Sequence, residues 1–115
     1  MIVEDDHDLR NAMAELLEAD GYELVLAKNG LEALESLREH TPSLLLIDLL
    51  MPIMNGVELI ERLRSDPAWR DLPVVVMTAA NDRIFGVDVE SLKVPVLRKP
   101  VDLETLARVL ADFRV

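Results

Sequence analysis

Two stretches of this chain, Leu44-Leu45-Leu46-Ile47 and Val74-Val75-Val76-Met77, are apolar at every position. A strand with one wetted face alternates polar and apolar residues. An unbroken apolar run belongs instead to a strand covered on both faces, as in parallel sheets packed between helices. Further apolar runs are Met1-Ile2-Val3 and Leu24-Val25-Leu26-Ala27, and Val96-Leu97-Arg98 reads as a short fifth strand. Pro95 suits the last of these to an edge of the sheet. Between the runs lie segments of helical period. Leu9, Met13, Leu16 and Leu17 mark the first helix, closed by Gly21. Leu34 and Leu37 mark the second, ending near Pro42, and Gly56 to Ser65 forms the third. Asp82 to Leu92 carries a weak pattern and is read as a fourth helix. Leu103, Leu106, Ala107 and Leu110 define the last, with Asp102 as its cap. Five βα units in succession predict one α/β domain with a parallel five-stranded sheet.

Composition narrows the function classes. The 115 residues amount to one domain, and half of them are hydrophobic, enough for a core without covalent staples. Cysteine is absent, which excludes disulfides, thiolate metal sites and a cysteine nucleophile, and fits a reducing compartment. No apolar run reaches the ~20 residues of a membrane helix. Met1 to Arg10 is acidic and lacks the layout of a signal peptide. The expected location is therefore cytoplasmic, without membrane attachment. A formal charge of −10 repels a phosphate backbone, so direct nucleic-acid binding is not expected.

The polar residues that follow the strands are the informative ones. Glu4 and Asp5 follow the first run, Asp48 the third, Thr78 the fourth and Lys99 the fifth. All strands of a parallel sheet end on one edge, and in open α/β sheets that edge carries the ligand crevice. Taken singly, Asp5 or Asp48 reads as a helix cap, Thr78 as a loop hydroxyl and Lys99 as a solvated lysine. Their joint placement reverses those readings. Two carboxylates about 4 Å apart repel by about 4 kcal/mol at an effective dielectric near 20. A hard dication such as Mg²⁺ (or Mn²⁺) would relieve the cluster. Carboxylate, dication, lysine and hydroxyl together suit phosphoryl transfer, with the carboxylate as nucleophile and the cations on the transferring oxygens. His7, beside the acidic cluster, reads as an exposed loop residue, His40 as a polar helix end, and Met51 and Met54 as packing residues.

The runs Ile2-Val3-Glu4-Asp5-Asp6, Asp48-Leu49-Leu50-Met51-Pro52-Ile53-Met54-Asn55-Gly56, Met77-Thr78-Ala79 and Lys99-Pro100 resemble the receiver domain of two-component response regulators. Ala27-Lys28-Asn29-Gly30-Leu31-Glu32-Ala33-Leu34 resembles the family's second strand-to-helix turn. The likeness extends from Met1 to about Leu110. It implies a flavodoxin-like fold of strand order 2-1-3-4-5 with helices on both faces. Asp48 would be the phospho-acceptor. Asp5, Asp48 and the backbone carbonyl of Leu50 would hold Mg²⁺, with Glu4 acting through water. Thr78, the Ala79 backbone N–H and Lys99 would contact the phosphoryl group, and Lys99-Pro100 would be cis. The donor would be a histidine kinase or a histidine phosphotransfer protein, and a downstream protein or a second copy would receive the signal. The chain would be a single receiver domain, 1–115, without an output domain, catalysing only its own phosphorylation and dephosphorylation.

Some positions depart from the family pattern. Val96 stands where an aromatic switch residue is usual, three before the lysine. Leu92-Lys93-Val94-Pro95 replaces the usual small pair ahead of the fifth strand, the interval from Thr78 to Lys99 is short, and only three residues precede Glu4. Leu50 and Ala80 occupy the two positions best placed to orient water for loss of the phosphoryl group, and neither side chain can do so. A competing reading is a receiver-like docking or dimerising module with little phosphorylation. A Mg²⁺-dependent phosphatase would need a second acid–base group near Asp48, which Leu49 and Leu50 do not offer. A dinucleotide-binding fold is excluded, because Glu4 to Arg10 contains no glycine.

Overall fold

In a computed structural model of the chain, which describes residues 1–79 and 83–112, the apolar runs pair side by side. β1 (Ile2–Val3), β2 (Leu26–Ala27), β3 (Leu45–Asp48), β4 (Val74–Thr78) and, later in the chain, β7 (Val96–Arg98) form one sheet in the order β2-β1-β3-β4-β7. Every pairing in it is parallel. This is the flavodoxin-like order, with β7 as the edge strand that Pro95 suggests.

Successive residues of each strand feed opposite cores, which explains the missing polar alternation. Val3, Leu45, Ile47 and Val76 face one cluster, and Ile2, Leu46, Val75, Met77 and Leu97 the other. The first cluster is covered by α2 (Gly30–Leu37) and α3 (Gly56–Arg64) through Ala33, Leu34, Leu37, Leu59, Ile60 and Leu63. The second is covered by α1 (His7–Ala19) and α4 (Leu103–Ala111) through Met13, Leu17, Leu106 and Leu110. Side-chain caps start each of these helices: Asp6 accepts from Leu9 N–H, Asn29 from Glu32 N–H, Asn55 from Glu58 N–H and Asp102 from Glu104 N–H. Gly21, one residue beyond the Asp20 cap of α1, takes the left-handed conformation (φ 89°) that ends a helix.

The fourth crossover is not the α-helix expected over Asp82–Leu92. From residue 83 it is an antiparallel hairpin, β5 (Arg83–Ile84) with β6 (Val87–Asp88), followed by a 3-10 helix at Val89–Leu92. Asp82 lies outside the described residues. Phe85 (φ 51°) and Gly86 (φ 75°) form the two-residue turn, and positive φ at both central positions is the signature of a type I′ hairpin. Gly86 in the middle of the segment favours that turn over a helix interior. Smaller differences occur at the ends of four elements. The second strand is confined to Leu26–Ala27, the second helix stops at Leu37, and the third and fourth strands run on to include Asp48 and Thr78. No described helix is long and apolar enough to cross a membrane.

Candidate functional site

β1 ends by delivering Glu4 and Asp5 to the C-terminal edge of the sheet. Glu4 is buried (0% exposed), whereas Asp5 faces solvent. The turn beyond them is held from both ends. Asp6 N–H donates to Glu4 Oε1 (3.1 Å), and Arg10 Nη1 donates to the carbonyl of Glu4 (2.8 Å) and, at 3.5 Å, to that of Asp5. Arg10 was not among the candidate residues, although its spacing shows the signal. It is the one charged member of the buried stripe Arg10, Met13, Ala14, Leu17 on α1.

β3 ends at Asp48, which is 2% exposed. Its Oδ1 accepts from Leu50 N–H (3.2 Å), and its Oδ2 accepts from Lys99 Nζ (3.0 Å). The helix behind it starts at once. Asn55 and Glu58 form a reciprocal capping box, and Gly56 N–H donates to the Leu49 carbonyl (2.9 Å). A Cβ on Gly56 would lie 2.6 Å from the Asp48 carbonyl oxygen, so only glycine lets α3 approach the acceptor strand this closely. Helix capping here falls to Asp6 and Asn55, which leaves the Asp5 and Asp48 side chains for other work.

Thr78 ends β4 and is buried. Its carbonyl accepts from Lys99 N–H (2.9 Å), tying the end of β4 to the residue after β7. The Lys99–Pro100 peptide is cis. Ala79 is exposed just beyond Thr78, and Leu50 lies 66% exposed at the mouth of the site. Val96 is half-buried in β7, paired in register with Val76 and packed against the first core cluster. Ala80 lies outside the described residues.

Glu4, Asp5 and Asp48 each present one carboxylate oxygen within 4.8 Å of the others. Burial, reinforced by the Asp48 charge, pushes the Glu4 carboxyl up to about 7. Burial alone would lower the Lys99 ammonium, but its bond to Asp48 and the charges of Asp48 and Glu4 outweigh that and raise it. Glu4 Oε2 is buried without a hydrogen-bond donor. Lys99 Nζ lies 3.3 Å away, within ion-pair range but not in bonding direction. One lysine therefore stands against three carboxylates. An orphaned buried oxygen within an all-oxygen cluster fits a hard divalent cation, and Mg²⁺ is the ion such donors suit.

A family profile for the response regulator receiver domain matches residues 1–111. The chain belongs to the response regulator receiver family. Among curated relatives, this receiver domain is 43% identical over 79 residues to the polar-differentiation response regulator DivK of Brucella anthropi. That alignment covers 69% of this chain and 64% of the relative. The DivK protein of Brucella ovis matches at 42% over the same length. The alignments thus span just under two thirds of those relatives. Among solved structures, the receiver domain of a signal transduction histidine kinase from Syntrophus aciditrophicus superposes with a TM-score of 0.88 at 30% identity. It covers 97% of this chain and 86% of that one. A sensor protein from Polaromonas gives 0.81 at 32%, over 98% and 95%. The Vibrio cholerae chemotaxis response regulator CheY4, at 24% identity and a TM-score of 0.86, shares the fold. Receivers are signalling modules that work with histidine kinases or phosphotransfer proteins and bind Mg²⁺ at an acidic cluster, and Glu4, Asp5 and Asp48 form such a cluster here.

Proposed function

We propose that this receiver is a phospho-acceptor switch in the cytoplasm, taking a phosphoryl group onto Asp48 from a histidine kinase or histidine phosphotransfer protein. The observation that carries the reading is Asp48 itself, a buried carboxylate held between Lys99 Nζ and Leu50 N–H, with Glu4 and Asp5 beside it. An Asp48 oxygen attacks phosphorus, the new O–P bond replaces the donor's P–N bond, and the released imidazole keeps the electron pair and takes a proton. Lys99 orients Asp48 beforehand and then offsets charge on the phosphoryl oxygens. The Thr78 hydroxyl and the Ala79 N–H supply further donors at the end of β4. Mg²⁺, held by Asp5, Asp48 and the Leu50 carbonyl with Glu4 acting through water, would supply the remaining positive charge. Mn²⁺ has the same donor preference.

The decisive experiment is mass spectrometry of the intact chain after incubation with acetyl phosphate and Mg²⁺. One added phosphoryl group is expected, and none on Asp48→Asn. Labelling that persists in that variant, or no labelling of the wild type, refutes the assignment.

Loss of the phosphoryl group needs an oriented water molecule, and the exposed Leu50 side chain offers that water no hydrogen bond. A missing water-orienting group slows such a step by ~10²-fold. The phosphorylated form is therefore long-lived, and Leu50→Asn shortens its lifetime once donor is removed. Ala80→Glu is expected to act in the same direction. With Val96 in the switch position, output passes through the segment after Thr78 and the fourth crossover, toward a downstream protein or a second copy.

A further inference from the structure

At the opposite end of the sheet lies a cleft of about 290 Å³, between the C-terminus of α3 and the segment that leads into β7. Trp69, Leu72 and Pro95 are among its apolar walls, and Arg64, Arg70 and Lys93 supply its charges. No carboxylate lines it, in a chain where 22 acidic residues outnumber 12 basic ones. None of the three cations belongs to any ion pair among the described residues.

Each cation has to be weighed against an ordinary role. Arg64, with Arg62, sits in the last turn of α3, where positive charge complements the helix dipole. It also donates to the Leu92 carbonyl, closing one side of the cleft. Structure therefore accounts for Arg64. Arg70 lies beyond the helix, and neither it nor Lys93 has a side-chain partner among the described residues. Lys93 moreover occupies a left-handed position (φ 54°), where glycine or asparagine is the easier choice. A charge is held there against backbone preference.

We propose that this cleft binds a small amphipathic anion: a planar apolar body on Trp69, Leu72 and Pro95, with a carboxylate, sulfonate or phosphate reaching Arg70 and Lys93. Its volume is at the lower end of the range for small-ligand pockets, and apolar walls with a few convergent charges are the usual composition of such sites. The site is independent of Asp48. The cleft borders the start of β4 at Val74, whereas Thr78 ends the same strand at the other edge.

Trp69 is the only tryptophan, so its emission reports on this cleft alone. The probe is anilinonaphthalene sulfonate, which accepts energy from tryptophan, titrated into the full chain. A saturable transfer signal is expected. Arg70→Gln combined with Lys93→Gln should weaken binding about tenfold, the yield of two partly exposed ion pairs, with the circular dichroism spectrum unchanged. Neutral phenylnaphthylamine should give no saturable signal. The proposal falls if no transfer appears, if the neutral dye binds as well as the sulfonate, or if the double variant binds unchanged. A glutamate-rich peptide that displaces the dye at lower concentration than a small aromatic carboxylate would overturn it in favour of a protein-docking groove.

Discussion

The charged edge of the sheet and the fourth crossover are a few residues apart in sequence and are built on opposite terms. At the edge, Asp48, Thr78 and Lys99 hang on or just beyond strand ends, and Asp48 and Thr78 are almost wholly buried. The hairpin of the crossover stands largely in solvent, and among the described residues of the crossover only Val89 and Leu92 are buried, both in the 3-10 helix. Asp48, Thr78 and Lys99 stand where the sheet dictates position, and the hairpin carries none of the site residues. Few buried contacts also mean a low free energy of local opening, so the crossover is the part able to rearrange when the edge changes charge.

Two glycines test that contrast from its two sides. Gly56→Ala sets a Cβ 2.6 Å from the Asp48 carbonyl and 2.7 Å from Leu49 Cα, both backbone atoms that cannot swing away. We expect a loss of about 3 kcal/mol in urea unfolding, with slower acetyl phosphate labelling because the acceptor strand is displaced. Next in size is Lys99→Met, which leaves Glu4 and Asp48 facing each other without their cation. Removing one partner of a buried pair costs about 3–5 kcal/mol. With Lys99 25% exposed we expect about 2–3 kcal/mol in the metal-free domain, recovered in part by millimolar Mg²⁺. An unfolding midpoint unchanged from wild type would show the edge to be less strained than its geometry indicates.

The pH dependence of the metal-free domain is expected to be of order 2 kcal/mol. Glu4 is raised from 4.5 to about 7 in the folded chain, so the folded state holds a proton that the unfolded state releases. Its contribution is complete below pH 4.5 and is lost as pH rises through about 7. Urea midpoints measured across that window should fall with pH. Glu4→Gln should flatten the slope, and so should saturating Mg²⁺, which favours the ionised form. A rising slope would contradict the assignment. The smallest effect is that of Gly86→Ala. There is open space around that Cβ, and the cost is confined to the positive φ, about 1 kcal/mol. Hydrogen exchange should speed up in the hairpin and stay unchanged in β4, with acetyl phosphate labelling unaffected. Equal penalties at Gly56 and Gly86 would erase the distinction between the two regions.

The same contrast decides what could be read from the chain. The sheet was legible because Leu44–Ile47 and Val74–Met77 admit few structures other than doubly covered strands. The residues that follow such strands must meet, and Glu4, Asp5, Asp48 and Lys99 do meet. The crossover was not legible. Ile84, Val87, Val89 and Leu92 are spaced by three, two and three residues, a weak pattern that settles neither a helix nor short strands. Gly86 decides between them, because its positive φ suits a hairpin turn and not a helix interior. Arg10 is hard to read for a different reason. Its place on the apolar stripe of α1 is visible in the sequence, but its targets are backbone carbonyls, so the sequence does not say what it holds. The charged cleft likewise depends on Arg64, Arg70 and Lys93 converging from separate elements.

The parallel ladder works as a reading frame. Leu46 and Val75, Ile47 and Val76, and Asp48 and Met77 are locked as partners, as are Met77 and Leu97, and Thr78 and Arg98. A slip of one residue in β4 would exchange Thr78 for Met77 or Ala79 at the acceptor's side and turn every buried side chain of that strand toward the wrong core. Insertions at the opposite edge leave the frame intact. In a lineage of such domains, loops there can therefore lengthen and diversify while the strand-borne groups of the site keep their mutual distances.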